Sequence, residues 1–154
     1  MRKKVGILSV IIFFIDLISK LIVDKVLILE KSINVFAKFF YLTKVYNYGV
    51  SFSMLQNKRW LIIILSLVIA IFLFVYMKKF KENKRNIWAF ALVFGGLLGN
   101  LFDRIIYGYV IDFLDFYIFG YNYPVFNIAD SCICIGIGLL LYAIIRGEDN
   151  ENNN

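Results

Sequence analysis

Histidine is absent from all 154 residues. Its absence removes His-based catalytic triads, zinc metalloprotease helices and most zinc sites. No Gly-x-Ser-x-Gly elbow and no Walker phosphate loop occurs either. The only two cysteines, Cys132 and Cys134, sit in an apolar run at a spacing that on a helix points them apart, so they do not bridge each other. They leave the redox compartment open. The first apolar stretch follows Arg2, Lys3 and Lys4 as a secretory signal would, but no small-residue cleavage site comes after it. The run instead carries into Asp16 and Lys20, so an uncleaved first span is expected.

What the chain has in excess is apolar surface. It is 61% hydrophobic with a mean hydropathy of +0.76, against roughly 45–50% apolar usage in an ordinary soluble domain. The expected solvent is bilayer, and the expected architecture is a single all-α membrane domain over residues 1–154. Four stretches, 5–23, 60–77, 87–106 and 126–145, approach the roughly 20 residues that a helix needs to cross the hydrocarbon core. Residues 24–59 are longer and more mixed, and the loose alternation around 33–45, rich in Phe, Tyr and Val, predicts short strands there. The tail from Gly147 onward is polar and reads as disordered.

The net charge of +6 does not point to nucleic acid, because the basic residues flank apolar runs and form no interleaved basic and aromatic surface. They report topology instead. Loops rich in Lys and Arg stay in the cytoplasm. Loop 78–86 holds Lys78, Lys79, Lys81, Lys84 and Arg85, whereas 107–125 holds no Lys or Arg. Both termini are therefore expected in the cytoplasm, with 24–59 and 107–125 outside. Tyr46, Tyr48, Trp60, Trp88, Tyr107, Tyr109, Tyr121 and Tyr123 fall near span ends, where amphipathic rings suit the interface.

A charge in a membrane span costs about 2.5–3.5 kcal/mol on insertion scales and so needs a reason to be there. Asp16, Lys20, Asp103, Arg104, Asp112 and Asp130 all lie in or beside apolar helices, and the topology puts them towards the same side. Asp16 and Lys20, four apart, share a helix face, and an ion pair is sufficient reason for them. Asp103 and Arg104 point to different faces, which frees Arg104 to reach a carboxylate or a lipid phosphate, or simply to anchor at the interface. In Gly95-Gly96-Leu97-Leu98-Gly99-Asn100 the glycines allow close helix packing, while the Asn100 amide needs partners inside the span.

Asp112 and Asp130 carry the most chemistry, since only one outer loop separates them. Two carboxyls brought together would resist double ionisation and share a proton near neutral pH. The ionised one can then take a proton from water while the protonated one polarises a peptide carbonyl. Taken singly, Asp130 could be a helix N-cap or first-turn acid and Asp112 a solvated loop residue. Asp115 is a rival member of the pair. A Ser-Lys dyad drawn from Ser51, Ser53 or Ser131 with Lys20 or Lys44 stays formally open. A proton-coupled transporter would also place acids in spans, but it calls for groups through the membrane depth or in two repeated halves. A structural subunit leaves the clustered acids unexplained.

Four blocks stand in order along the chain. They are Asp16-Leu-Ile-Ser-Lys20; Asn47-Tyr-Gly-Val-Ser-Phe-Ser53; Gly95-Gly-Leu-Leu-Gly-Asn-Leu-Phe-Asp-Arg104 continuing through Gly108-Tyr-Val-Ile-Asp112-Phe; and Phe126-Asn-Ile-Ala-Asp130-Ser. Together they resemble the lipoprotein signal peptidase family, also called signal peptidase II, over nearly the whole chain. Val50 and Ser51 stand where that family usually has two alanines. The resemblance implies Asp112 and Asp130 as the catalytic pair, with Asp16, Lys20, Asn47, Asn100, Asp103, Arg104 and Asn127 supporting the site or binding substrate. It implies four transmembrane helices with a small outer β-cradle from 24–59, and no metal or other cofactor. Its substrates would be prolipoproteins already carrying diacylglycerol on a cysteine, cut just before that cysteine at the outer face of the bacterial cytoplasmic membrane. Membrane lipids and globomycin-type inhibitors are further expected partners, and a monomer is expected.

Overall fold

The computed structural model describes residues 1–49 and 54–149. Four helices in it are long and apolar enough to cross a membrane: α1 (Arg2–Val26), α2 (Arg59–Tyr76, extended by a 3-10 turn at Met77–Lys79), α3 (Lys84–Ile106) and α4 (Ile128–Ile145). Their outward faces are lined by side chains such as Ile64, Val68, Ile71 and Phe72 of α2, each more than half exposed. Lipid tails cover such a surface without the cost that water would impose.

Helix α3 is the hub, packed against α1, α2 and α4. Its glycines explain how closely its neighbours approach. A Cβ on Gly95 would stand 2.6 Å from the Ile12 side chain of α1, and one on Gly96 would run into the Ala129 carbonyl and lie 2.7 Å from Ile133 of α4. The small-residue stripe thus lets α1 and α4 press onto neighbouring faces of α3. Phe90, Val93, Ala89 and Ala143 fill the contact below it, almost wholly buried.

At one end of the bundle lie the chain's beginning, the 80–83 turn and the residues after α4. The Met1 amino group and Lys4 both pair with Glu82, Arg85 pairs with Glu148, and Asn83 and Asn86 donate to the Glu148 carboxylate. The opposite end carries an antiparallel sheet in the order β1 (Ser32–Phe36), β2 (Phe40–Asn47), β3 (Val110–Ile118), β4 (Tyr121–Asn122). Two of its strands come from 107–125, a stretch whose residue pattern reads as a link between spans. Asp112 and Asp115 stand three apart, so they break the two-residue alternation that marks a strand. A small core of Val23, Leu27, Ile111 and Phe113 seats the sheet on the C-terminal end of α1.

Candidate active site

Asp112 lies on β3 and is 2% exposed. Its Oδ1 accepts from Asn127 Nδ2 at 2.7 Å and its Oδ2 from Asn47 Nδ2 at 2.8 Å. Asn127 can reach it because the residue before, Phe126, is pinned along β3: its carbonyl accepts from Phe113 and Leu114, and its N–H donates to the Leu114 carbonyl. Asn127 is also the N-cap of α4. Its side chain accepts from the Asp130 N–H at 2.9 Å, and Asp130 Oδ2 accepts the Asn127 backbone N–H at 3.2 Å, which completes a capping box. Asp130 is therefore the first-turn acid that its position suggested, yet its other oxygen turns to Asn100 Nδ2 at 2.7 Å.

Behind these carboxyls lies a buried ionic cluster. Lys20 Nζ pairs with Asp16 at 2.7 Å and Asp103 at 2.9 Å, and donates to Asn100 Oδ1 at 3.1 Å. Asp16 Oδ1 in turn accepts the Ala129 N–H at 2.9 Å. Its Oδ2 occupies the space that a Cβ on Gly99 would fill, so that glycine makes room for the carboxylate as well as for the helix. The Asp16–Lys20 spacing gave one pair; the second carboxylate arrives only through α1–α3 packing. Arg104 turns to backbone rather than to a carboxylate. Its Nη2 donates to the Gly49 carbonyl at 2.7 Å and its Nη1 to that of Asn100 at 3.2 Å, which ties the turn after β2 to the top of α3.

Asn47, Asn100, Arg104, Asp112 and Asp130 share the wall of a cavity of about 580 Å³, completed by apolar side chains that include Ile62, Leu97, Phe126 and Ile133. Asp103, Lys20, Asp16 and Asn127 stand behind that wall. Cys134 and Ser66 line the cavity too, and neither stood out in the sequence. Cys134 is one helical turn past Asp130, which was a usable signal. Burial pushes the Asp112 carboxyl up to about 7, and the neighbouring charge of Asp130 pushes in the same direction; the Asn47 and Asn127 amides and the more distant Lys20 oppose the rise. A carboxyl in that range exchanges its proton at neutral pH.

Asp115 belongs elsewhere. It is buried on the other face of β3 and accepts from the Thr43 hydroxyl at 2.6 Å. The serine–lysine alternative finds no pairing among the described residues: Ser131 Oγ donates to the Asn127 carbonyl, Lys20 is held in its cluster, and Lys44 pairs with Asp24. Val50, Ser51 and Ser53 lie outside the described residues.

A family model described as signal peptidase (SPase) II matches residues 8–146. The chain belongs to the signal peptidase II family. It is 39% identical over 150 residues to a lipoprotein signal peptidase of Alteromonas mediterranea, covering 94% of this chain and 82% of that one. To the lipoprotein signal peptidase of Halalkalibacterium halodurans it is 38% identical over 143 residues, 92% of each chain. The fold is shared with a bacterial membrane enzyme solved by the in meso method at 2.3 Å resolution, with a TM-score of 0.79, 31% identity and coverage of 97% of this chain and 92% of that one. A second such structure, at 1.9 Å resolution, gives a TM-score of 0.80 at 33% identity, over 91% of each chain. The family is one of aspartic signal peptidases, and the chain is a multi-pass bacterial membrane protein.

Proposed function

We propose that this protein removes signal peptides from prolipoproteins by water attack on the peptide bond, with Asp112 and Asp130 as the catalytic pair. The observation that carries the reading is the convergence of both carboxyls on one residue: Asn127 donates to Asp112 through its side chain and to Asp130 through its backbone. Two carboxyls so held, on the wall of one cavity, suit a shared proton. The ionised member accepts a proton from water as the oxygen attacks the carbonyl carbon, and the protonated member donates to the carbonyl oxygen. Collapse of the tetrahedral adduct breaks the C–N bond as the proton taken from water passes to the leaving nitrogen. The hydroxyl formed on the former carbonyl oxygen returns its proton to the carboxylate that supplied it, which restores the one-proton pair. No covalent enzyme intermediate is needed.

The substrate in this reading carries diacylglycerol on the cysteine that follows the scissile bond. The cavity favours it: its lining is mostly apolar, and side chains of α2, α3 and α4 bring it to the level of the bilayer. Acyl chains then remain in lipid while the peptide bond meets the carboxyls. The basic residues around Met1 and the 78–86 turn favour a cytoplasmic location for the end that holds both termini, with the sheet and the carboxyls at the outer face. Globomycin-type inhibitors would occupy the same cavity, and the chain would act as a monomer. The roles of Asn47, Asn100 and Asn127 are to aim the carboxyls, while Lys20, Asp16, Asp103 and Arg104 hold those amides and the loop beside them.

The test replaces Asp112 or Asp130 by Asn and follows processing of a diacylated precursor in membranes. Each variant should insert normally and cleave at least about a thousandfold more slowly, the loss expected when one member of an acting pair is removed. Full cleavage by either variant removes that residue from the pair.

A further inference from the structure

Strand β2 changes face half-way along. Its first part pairs Phe40 with Phe116, Tyr41 with Asp115 and Leu42 with Leu114; its last part pairs Val45 with Asp112, Tyr46 with Ile111 and Asn47 with Val110. Between Leu42 and Val45 the chain advances three residues while β3 advances two. That is a β-bulge with one extra residue at Thr43–Lys44. Because directly opposed residues share a face and side chains alternate, the extra residue inverts the parity of everything after it. Without it the position opposite Val110 would be taken by Tyr46, and Asn47 would point to the face away from Asp112.

The bulge is pinned from two sides, and neither pin belongs to the cavity. Thr43, 8% exposed, donates its hydroxyl to Asp115 Oδ2 at 2.6 Å and lies 2.8 Å from Ser32 Oγ on β1. Lys44, 7% exposed, donates to the Asp24 carbonyl and carboxylate at the outer end of α1, and its own carbonyl accepts from the Glu30 N–H at 3.0 Å. A buried carboxylate on the far face of β3, with a threonine as its hydrogen-bond donor, otherwise has no evident task.

We infer that Asp115 and Thr43 are positioning residues for hydrolysis: by fixing the bulge they set the register that delivers the Asn47 amide to Asp112. The inference rests on the catalytic reading of Asp112 given above. It yields a signature that a purely structural role does not. The Asn47 amide stabilises the charged form of Asp112, so losing it moves the ionisation of Asp112 upward. The other charged groups that bear on Asp112 are Asp130 on α4, Lys20 on α1 and Arg104 on α3, and none of them contacts Thr43.

The experiment measures cleavage of a diacylated precursor against pH for Thr43→Val, Thr43→Ser, Asp115→Asn, Asn47→Ala and the double variant Thr43→Val with Asn47→Ala. Thr43→Val should lower kcat about tenfold with KM unchanged, the effect of one lost hydrogen bond to a charged group. It should move the acid limb of the profile to higher pH, as Asn47→Ala does. The double variant should lose no more than Asn47→Ala alone, and Thr43→Ser, which keeps the hydroxyl, should behave as wild type. If Thr43→Val does not insert, Asp115→Asn takes its place, with a smaller shift in the same direction because an amide oxygen is a weaker acceptor. An unshifted acid limb in whichever of the two folds, or losses that multiply in the double variant, would overturn the inference. Asp112→Asn, run in parallel, separates the two ideas: if it cleaves normally the catalytic reading fails, and if it is inactive while the limb stays fixed only the positioning role fails.

Discussion

Replacing Lys20 by Met tests how the sheet end of the bundle tolerates its charges. The ammonium is 1% exposed and lies within 2.9 Å of two carboxylates that are themselves almost fully buried. Removing it leaves Asp16 and Asp103 facing each other without a cation. Breaking a buried pair by deleting one partner costs about 3–5 kcal/mol. For a domain of this size each kcal/mol lowers the melting temperature by roughly 2–4 °C, so the drop should be on the order of 6–20 °C. Thermal unfolding in detergent, followed by intrinsic fluorescence, reads it directly. Asn100 Oδ1 also loses one of its two donors, Lys20 and Asn127. Its amide is then freer to turn away from Asp130, and cleavage should fall even at temperatures where the variant is folded. The triple variant Asp16→Asn, Lys20→Met, Asp103→Asn removes every charge of the cluster and should recover most of the lost stability, because replacing a whole buried ionic group is often neutral. A Lys20→Met melting temperature within about 2 °C of wild type would refute the reasoning, and so would a triple variant no better than the single one.

Two further outcomes follow from the site's surroundings. The raised Asp112 carboxyl binds its proton more tightly folded than unfolded, so its contribution favours folding below its ordinary value of 3.8 and is lost as pH rises to about 7. The melting temperature of Asp112→Asn minus that of wild type should therefore climb between pH 4 and 7 and level off above; a difference independent of pH would contradict the shift. Gly96→Ala should separate α3 from the first turn of α4, which carries Asp130, at a cost of about 1–3 kcal/mol for overpacking. Gly138→Ala, whose Cβ meets nothing within 4 Å, should be silent in both melting temperature and cleavage, and equal behaviour of the two variants would show that the Gly96 contact is not limiting.

Several of these features were legible in the sequence and others were not, for physical reasons. Hydropathy and length mark the four helices because bilayer thickness fixes both. The Asn127-x-x-Asp130 spacing before an apolar run is a capping signature, so the start of α4 and the two roles of Asp130 were within reach. Asp16 and Lys20 read as a pair because helical spacing is local. Asp103 as their third member, and the Gly49 carbonyl as the partner of Arg104, depend on which helix faces meet, and no period in the chain encodes that. Strands β3 and β4 escaped because β3 is enclosed on both faces over much of its length, which removes the alternation a half-buried strand displays. The bulge in β2 is the clearest limit: one extra residue decides which face Asn47 occupies, and a two-residue pattern read through Thr43 and Lys44 assigns it to the wrong one.

The cluster also divides its acids by the kind of partner each is given. Asp16 and Asp103 touch the Lys20 ammonium, and protonating either would break a buried ion pair. Among the described residues, the hydrogen-bond donors to Asp112 and Asp130 are neutral: the side-chain amides of Asn47, Asn100 and Asn127, and one backbone N–H. The Asn47 and Asn127 amides favour the ionised form of Asp112, but burial and the Asp130 charge outweigh them, so these donors fix position without holding the carboxyl permanently charged. Arg104, the cation that shares the cavity wall, spends its direct hydrogen bonds on the Gly49 and Asn100 carbonyls instead. A pair meant only to bury charge safely would be better served by moving that guanidinium onto a carboxylate. A pair that takes up and releases one proton in every cycle, as proposed above, would use what is found: orientation from amides, with the Lys20 ammonium held one layer back and the Arg104 guanidinium turned to carbonyls.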